Sequence, residues 1–346
     1  MISTSEGLPG SYASCREKVV AELQRIINSN PSSLYDMLQY HLGWQGAQGH
    51  PCGKSPGKFI RPILCLLSCQ AAGGDTSQIL PAAASLELVH NFSLIHDDIE
   101  DASGERHHQP TVWKLWGQPQ AINAGDAMFA LAYLALLKLR ENGIADTKIM
   151  RSIQILGEAC LELCEGQYLD IAYENRLDVT TEDYLKMIAR KTAALMAAST
   201  SIGACLATED KEIVSSLYKF GQNLGMAYQI QDDILGIWGA EEKTGKSVNS
   251  DITRKKKTLP VVYGLQNSRD KDSHKLKKLY SQESIEGEGI AEVVEILNRS
   301  GTRSYAQKLE QQYYHQALAE VEAASLDSSR QALLKEAAHF IANRDY

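Results

Sequence analysis

The sequence of 346 residues predicts an all-α protein, folded as a single domain over residues 1–346. In nearly every long segment the apolar residues recur every three or four positions, and no segment sustains the alternation of a strand. Two segments, AGDAMFALAYLALLKL and KTAALMAASTSIGACL, are apolar almost all round. Helices of that kind lie at the centre of a bundle or at a subunit interface. We therefore expect a helical bundle.

The individual helices follow from this period in chain order. The first spans residues 14–28, with Val19, Leu23 and Ile26 on one face. The second spans residues 32–41 and leads into a glycine- and proline-rich loop. Further helices are predicted over residues 60–72, 76–101, 118–141, 147–173, 181–207 and 210–237. The two loops are residues 43–58 and 239–257, and the last helices are predicted over residues 258–268, 287–299, 302–325 and 328–342.

Composition excludes two classes of partner. Lys and Arg together number 35 and Asp and Glu 43, which gives a net charge of -8. A nucleic-acid binder usually carries a basic balance or a basic stripe, so we expect no nucleic-acid partner. No uncharged stretch approaches the roughly 20 apolar residues that a membrane helix needs, so we expect no membrane span.

The seven cysteines are an odd number without CxxC pairs. No secretory leader precedes the first helix, so reduced thiols and a cytoplasmic location are predicted. The pairs Cys65/Cys69 and Cys160/Cys164 are each four residues apart. Such spacing leaves a soft-metal site as the alternative to buried thiols that pack as small hydrophobes.

Two acidic clusters, each closing an apolar helical run, indicate the chemistry. HNFSLIHDDIED contains Asp97, Asp98 and Asp101, and AYQIQDDILGIWG contains Asp232 and Asp233. Positions i and i+4 share a helix face, so Asp97 and Asp101 can point the same way. Carboxylates this close repel one another unless a cation joins them, and Mg²⁺ commonly binds through carboxylates and substrate phosphates. The clusters suggest a diphosphate held between metal ions.

Basic residues in loop positions support an anionic ligand. Lys58 and Arg61 lie three apart at the start of a predicted helix, where free backbone N–H groups and the macrodipole also favour an anion. With His90, which precedes Asp97 on its helix, they predict a second anion site without metal. Arg106 follows the first cluster and can approach the anion that the metals hold.

The strings GKFIRP, LELVHNFSLIHDDIED, PTVWKLWG, INAGDAMFA, EGQYLDI, RKTAAL, AYQIQDDILGIWG and KKKTLP resemble, in this order, the motifs of the trans-isoprenyl diphosphate synthases. The resemblance extends from about residue 54 to 260, and FIANRDY is similar as well. It implies a helical bundle of the isoprenoid synthase type with a central active-site cavity, and a homodimer. It also implies isopentenyl diphosphate and allylic diphosphates as substrates, with Mg²⁺ as cofactor, three ions in each site.

The resemblance assigns a role to each matching residue. The implied metal ligands are Asp97, Asp98, Asp101, Asp232 and Asp233. The residues implied to grip the allylic diphosphate are Arg106, Lys191 and Lys256, and those implied to bind isopentenyl diphosphate are Lys58, Arg61 and His90. Gln167 and Asp170 match the GQxxD motif, and Thr192 and Gln229 match residues that line the reacting carbons. The implied catalytic set is Asp97, Asp98, Lys191, Thr192, Gln229 and Asp232.

Two positions depart from the family's pattern. The family commonly has two adjacent arginines after the first acidic motif, and here the second is His107. This weakens the expected grip on isopentenyl diphosphate unless His107 is protonated or His108 helps. The second motif commonly ends in a third aspartate, and here that position is Gly236.

Product length should depend on the residues just ahead of Asp97. Residues four and five before it lie about 6–7.5 Å deeper along the helix. They are Ser93, which is small and on the face of Asp97, and Phe92, which is turned aside. Family members that stop at fifteen carbons often carry aromatics at both positions. The sequence therefore favours geranylgeranyl diphosphate, with a farnesyl diphosphate synthase as the alternative and with Phe92 as plain core in the simplest interpretation.

Two other functions were weighed against this one. A class I terpene cyclase shares the helical bundle, but it typically replaces the second aspartate motif with an Asn/Ser/Glu triad and lacks a site for isopentenyl diphosphate. A non-catalytic subunit of a heteromeric synthase would be expected to have lost an aspartate motif. Asp232 and Asp233, with Lys58 and Arg61, argue against the cyclase. Retention of both aspartate motifs argues against the non-catalytic subunit.

Overall fold

The structure of the chain, a computed structural model, describes residues 10–28, 32–50, 57–107, 109–239 and 250–342. His108 and parts of both predicted loops lie outside the described residues. The chain divides into two compact units. The first comprises residues 1–157 and 198–214, and the second residues 158–197 and 215–346. Each is described in turn, and the expectation of a single domain over residues 1–346 stays a prediction.

The first unit is built around the helix that ends at the first acidic cluster. Its elements are α1 (Gly10–Ile27), α2 (Ser33–His41), α3 (Ile60–Ala71), α4 (Leu80–Glu100), strands β1 (Glu105–Arg106) and β2 (Gln109–Pro110), α5 (Val112–Trp116), α6 (Gln118–Leu137), a 3₁₀ turn (Lys138–Asn142) and the start of α7 (Asp146–Tyr173). Helix α4 is buried along almost its whole length because α1, α3 and α6 pack around it. This burial explains its unbroken apolar sequence and fixes the direction in which its acidic end projects.

One segment of the first unit, Gln118–Asn142, is long and apolar enough to cross a membrane by length and composition alone. A single such helix is weak evidence, because the core helix of a soluble protein has the same properties. Helix α6, which makes up most of this segment, packs along α4 and buries Ala124, Met128 and Ala132. Packing against α4 therefore explains the apolar character of one part of this helix, and several of its other apolar side chains are exposed.

The second unit contains the second acidic cluster. Its elements are the end of α7, α8 (Thr181–Ile188), a π turn (Ala189–Ala193), the start of α9 (Ala194–Ala207), most of α10 (Lys211–Trp238), α11 (Ser250–Thr253), α12 (Leu259–Asn267), α13 (Asp270–Tyr280), α14 (Glu288–Arg299), α15 (Thr302–Ala323) and α16 (Ser328–Ala342). One apolar cluster joins α8, α10 and α12 through Tyr184, Ile230 and Leu259. A second joins α12, α13 and α14 through Val261, Leu276 and Ile296.

Most predicted helices are confirmed to within a few residues, and several features differ, among them the strands β1 and β2 and helix α5, which the sequence did not predict. The sequence did not predict helix α13, because its many lysines make it look like a polar loop. One face of this helix is apolar and buried, through Leu276, Leu279 and Tyr280. The short helix α11 lies in what had been predicted as loop. The helix predicted over residues 181–207 is interrupted by the π turn at Ala189–Ala193.

Candidate active site

The first acidic cluster lies where α4 ends. Asp101 caps the helix, and its backbone N–H donates to the carbonyl oxygen of Asp97 at 2.8 Å. One turn apart, Asp97 and Asp101 share a helix face, and both side chains are partly exposed. Two hard carboxylate ligands on one face suit a magnesium ion that takes its remaining ligands from phosphate and water.

Asp98 has a different environment from its two neighbours. It is 3% exposed and accepts a two-pronged contact from Arg106, with Nη2 at 2.8 Å from Oδ1 and Nε at 3.0 Å from Oδ2. Such fork-to-carboxylate pairs fix orientation as well as charge. Arg106 lies on the two-residue strand β1, whose pairing with β2 puts it opposite Gln109. The hairpin thus places the guanidinium of Arg106 beside the carboxylates at the end of α4.

The residues predicted to bind isopentenyl diphosphate come from α3 and α4. Arg61 lies in the first turn of α3 and is partly buried, whereas Lys58 is exposed just before the helix. Between them, Phe59 is buried with φ 53°, a left-handed conformation that turns the chain sharply into α3. Burial, followed by the charges of Arg61, Arg106 and His41, holds the pKa of His90 well below its usual range. The charges of Arg61 and Arg106 therefore act on His90 of α4, and the predicted binding of isopentenyl diphosphate by these residues stays a prediction.

In the second unit, Lys191 and Thr192 both lie on the π turn. Such turns are rare and frequently occur at functional sites. Two glycines allow the turn to fit: a Cβ on Gly166 would lie 2.2 Å from the backbone nitrogen of Lys191, and one on Gly225 would lie 2.6 Å from the Cα of Ala193. Helices α7 and α10 can approach the turn only because these positions lack side chains.

Each of the two π-turn residues has a polar partner. The ammonium of Lys191 contacts the Asp170 carboxylate, which gives the aspartate of the predicted GQxxD motif a partner. Thr192 Oγ1 donates to Gln229 Oε1 at 2.8 Å. The side chains predicted to grip the allylic diphosphate and to line the reacting carbons are therefore fixed by polar contacts from neighbouring helices.

Asp233 is the most constrained carboxylate of the second cluster. It is 4% exposed; Oδ1 accepts from Gln229 Nε2 at 3.0 Å, and Oδ2 accepts from the Leu259 backbone N–H at 2.8 Å and from the Tyr184 hydroxyl. Burial raises the pKa of Asp233 to about 7 against the effect of these donors. The carboxylate ties α8, α10 and α12 together, a contribution that the sequence did not indicate for it. Its predicted role as a metal ligand stays a prediction.

Asp232 and Asp251 complete the acidic group of the second unit. Asp232 is partly exposed, unlike its neighbour. A Cβ built on Gly236 would lie only 2.1 Å from Oδ2 of Asp251. The carboxylate of Asp251, on α11, thus fills the space beside the position where the family commonly has its third aspartate. Sequence reasoning missed Asp251 and Tyr184, because neither is close in sequence to the residues that it contacts.

Two residues of the run Lys255 to Lys257 donate hydrogen bonds to backbone carbonyl oxygens. Lys255 Nζ donates to the Gln282 carbonyl oxygen at 2.6 Å, and Lys257 Nζ to the Glu174 carbonyl oxygen at 2.8 Å. Lys257 also lies 5.1 Å from the centre of the Tyr280 ring. These contacts fix the segment on both sides of Lys256, the residue predicted to bind diphosphate.

Left-handed backbone marks the same places. Among the described residues, the non-glycine residues with positive φ are Phe59, Ala102, His107 and Lys255. Each is next to, or within two residues of, a predicted site residue. Local strain of about 1–3 kcal/mol persists only where the surroundings impose it, and it tends to gather at active sites. Here the strained residues lie at the start of α3, just after the end of α4, on the hairpin and beside Lys256.

Comparison with known proteins decides the family. Residues 50–297, more than half of the chain, match the polyprenyl synthetase family. The chain belongs to this family. It is 38% identical over 332 residues to a (2E,6E)-farnesyl diphosphate synthase of Mycobacterium bovis, covering 95% of this chain and 91% of that one. It is 43% identical over 258 residues to a geranylgeranyl diphosphate synthase of Mycobacterium tuberculosis, covering 75% and 72%.

Solved structures agree with the fold. A polyprenyl synthetase from Streptomyces coelicolor has a TM-score of 0.89 at 33% identity, covering 95% of this chain and 98% of that one. A geranylgeranyl pyrophosphate synthase from Corynebacterium glutamicum, complexed with isoprenyl diphosphate and magnesium, has a TM-score of 0.81 at 25% identity, covering 96% and 98%. The chain is an all-helical enzyme of the isoprenoid synthase fold, and the family uses divalent metal ions. It is a short-chain isoprenyl diphosphate synthase, a prenyltransferase.

Proposed function

We propose that this prenyltransferase condenses isopentenyl diphosphate with allylic diphosphates and releases geranylgeranyl diphosphate as its main product. The observation that carries the product assignment is Ser93, one turn before Asp97 on the same face of α4. Its hydroxyl donates to the carbonyl oxygen of His90 at 2.8 Å, which keeps the small side chain against its own helix. A growing prenyl chain that extends from Asp97 along α4 would therefore meet no bulky group at this level.

Magnesium is the metal that these carboxylates suit, and three ions in each site remain part of the proposal. Among the described residues, no group of three or more His, Cys, Asp or Glu side chains stands close enough to hold a metal by itself. Mg²⁺ bound through one or two carboxylates plus substrate phosphates needs no such group. Asp97, Asp101 and Asp232, which are partly exposed, would hold it. Bound there, the positively charged ion would stabilise the negative charge that develops on the leaving diphosphate.

The protein's own residues supply the rest of the chemistry. Arg106, Lys191 and Lys256 would bind the diphosphate that leaves the allylic carbon and stabilise its growing charge. Thr192 and Gln229 would line the reacting carbons, and Lys58, Arg61 and His90 would hold isopentenyl diphosphate. Its double bond attacks the allylic cation, and the released diphosphate accepts the proton that is lost. Water must be kept out, because a hydrated cation would end as an alcohol.

A farnesyl product is the second candidate, because Phe92 supports it. Phe92 lies edge-on to Phe129 of α6, with ring centres 5.1 Å apart, and to His96 at 5.8 Å. This aromatic group would narrow the space below Ser93. The Mycobacterium bovis relative, named as a farnesyl diphosphate synthase, supports the same alternative.

Product analysis tests the assignment. We would incubate the enzyme with Mg²⁺, isopentenyl diphosphate and dimethylallyl, geranyl or farnesyl diphosphate, and identify the products by chromatography. Twenty-carbon product is expected from all three primers. Ser93→Phe should shorten the product, whereas the control Ser93→Ala, which loses only the hydroxyl, should keep it. A fifteen-carbon end product from the unmodified enzyme would refute the geranylgeranyl assignment.

A homodimer is also part of the proposal. Helix α6 exposes Ile122, Phe129, Leu134 and Leu137, and α7 exposes Met150, Leu161, Tyr168 and Ile171. Exposed apolar side chains in such number along helices commonly mark an interface, and a second copy of the same chain is the usual partner. Leu134→Glu should give a monomer in sedimentation. A dimer unaffected by this change would mean that α6 is not the contact.

The cytoplasm is the proposed compartment. No disulfide joins any two of the six described cysteines, which are Cys15, Cys65, Cys69, Cys160, Cys164 and Cys205. Burial raises the pKa of Cys65 and raises that of Cys69 to about 12. Both thiols are therefore protonated, as small hydrophobic side chains rather than metal ligands. Free thiols are typical of reducing compartments.

A further inference from the structure

The last residue of α2, His41, lies at the group of cations around α4, although nothing in the sequence drew attention to it. Its neighbour Tyr40 anchors the end of α2 by donating a hydrogen bond to the Pro110 carbonyl oxygen of β2 at 2.7 Å. The Tyr40 ring also packs edge-on to Trp116 at 5.1 Å. Because β2 pairs with β1, this anchor brings the end of α2 to the hairpin that carries Arg106.

The His41 ring is held by an amide. Asn91 Nδ2 donates to the Glu87 backbone oxygen at 2.8 Å and to Glu87 Oε1 at 3.0 Å. Both amide hydrogens are thereby used, so in the hydrogen bond between Asn91 and His41 the ring N–H donates to Asn91 Oδ1. Asn91 and Glu87 are themselves buried. One ring nitrogen of His41 is thus fixed, and the other, which points away from Asn91, is an acceptor in the neutral ring. It can donate to an anion once the charge of that anion has favoured the protonated ring.

Cations surround the ring. Burial, then the charge of Arg106, lowers the pKa of His41 to about 3, and His107 adds to the effect while Asn91 opposes it. His90 is subject to the same repulsion from Arg61 and Arg106. Of the nearby carboxylates on α4, that of Glu87 accepts from Asn91, and that of Asp98 is paired with Arg106. Basic groups that repel one another at one place favour an anion there, since the anion relieves the repulsion.

The residue at position 107 is the reason why a further basic side chain would contribute to anion binding here. The family commonly has a second arginine there, and this chain has an exposed histidine in a left-handed turn, with φ 50°. A short exposed ring cannot replace the two-pronged reach of an arginine.

We propose that His41 is a further binding residue for the diphosphate of isopentenyl diphosphate, held in place by Asn91 and Glu87, and that it substitutes for the arginine missing at position 107. The inference rests on the proposed function, because it assumes the isopentenyl diphosphate subsite of Lys58, Arg61 and His90. It adds to that subsite a residue from α2 and a positioning residue, Asn91.

Steady-state kinetics with each substrate varied separately is the first test. His41→Ala should raise the KM for isopentenyl diphosphate about tenfold, the loss expected for one charge-assisted hydrogen bond. The KM for farnesyl diphosphate should stay within about twofold. Asn91→Leu should act in the same direction through loss of the ring's orientation. The matched control is His274→Ala, an exposed histidine on α13, which should change neither constant.

A double-mutant cycle is the second test. In a His107→Arg background, which restores the common family pattern, His41→Ala should raise the KM for isopentenyl diphosphate by less than about threefold. A purely structural role for His41 would give the same loss in both backgrounds. That result, or an equal rise of both KM values, would overturn the proposal.

Two further measurements distinguish the remaining outcomes: the elongation activity of the unmodified enzyme and the unfolding midpoint of each variant. If the unmodified enzyme elongates no allylic diphosphate, the proposed function fails and the subsite with it. If the enzyme elongates normally and His41→Ala folds with an unchanged KM for isopentenyl diphosphate, the inference alone fails. Should His41→Ala lower the unfolding midpoint strongly, His41→Gln serves instead, because its amide can still donate to Asn91. It should raise the same KM, and an unchanged KM would contradict the proposal.

Discussion

The two acidic clusters have the same sequence signature and different surroundings. In the first, Asp97 and Asp101 are partly exposed on one helix face, whereas Asp98 is buried and paired with Arg106. In the second, Asp233 is buried under three donors from three segments. An aspartate pair can therefore be mainly a ligand in one place and mainly a structural tie in another, and burial distinguishes the two.

The largest effect should come from the exposed carboxylates. Asp97→Ala is expected to lower kcat about a thousandfold, because a lost metal ligand removes several kcal/mol of charge stabilisation. The unfolding free energy should change by less than about 0.5 kcal/mol, as for an ordinary surface substitution. Single-turnover kinetics and urea unfolding measure the two quantities. A variant that unfolds easily would mean that this cluster, too, is structural.

Asp233→Ala should give the opposite pattern. Removing the carboxylate leaves the Tyr184 hydroxyl and the Leu259 N–H buried without their acceptor, at about 1–3 kcal/mol for each group. We expect the unfolding free energy to fall by about 3 kcal/mol. Asp232→Ala is the matched control and should lose activity while keeping its stability. Equal stability of the two variants would contradict the distinction drawn between these neighbours.

Gly236→Ala tests the place of Asp251. In a helix interior this change normally stabilises by about 0.5–1 kcal/mol. Here the new Cβ would lie 2.1 Å from Asp251 Oδ2, so Asp251 must move and the protein should lose about 1–2 kcal/mol. Gly157→Ala on α7, whose nearest contact is the Tyr133 hydroxyl at 3.4 Å, is the control. A stabilised Gly236→Ala, seen by thermal unfolding, would show that Asp251 is not tightly held.

The smallest effect concerns pH. Burial raises the pKa of Glu87 to about 7, although Arg61 and Asn91 act in the opposite direction. The folded chain therefore retains a proton that the unfolded chain loses near pH 4.5, and this group's stabilising contribution declines as the pH rises from about 4.5 to 7. The decline should be at most about 1.4 kcal/mol per pH unit. Urea unfolding of Glu87→Gln, which keeps an acceptor for Asn91, should show a flatter profile than the unmodified protein; parallel profiles would refute the shift.

The sequence predicted most of the helices, because they depend on local signals, and its motifs identified residues that the structure places at the end of α4 and on the π turn. Apolar period located α4 and α10, and the order of the motifs identified Lys191 and Thr192. What it missed depends on contacts between distant segments. The π turn follows from Gly166 and Gly225 lying against it, and Asp251 reaches Gly236 from another helix. The place of His41 near Arg106 follows from the contact of Tyr40 with Pro110 and from the hydrogen bond with Asn91, and the sequence shows neither.

The left-handed residues beside the site have a consequence for how such a chain can adapt to heat. A left-handed conformation is found at four non-glycine residues: Phe59, Ala102, His107 and Lys255. It costs each of them about 1–2 kcal/mol more conformational energy than it would cost glycine. Glycine at these positions would relieve the strain. It would also make the backbone more flexible beside the neighbouring site residues, which are Lys58, Asp101, Arg106 and Lys256. Thermal tolerance and catalytic alignment thus compete for the same four positions, and selection for one should be visible as a change in the other.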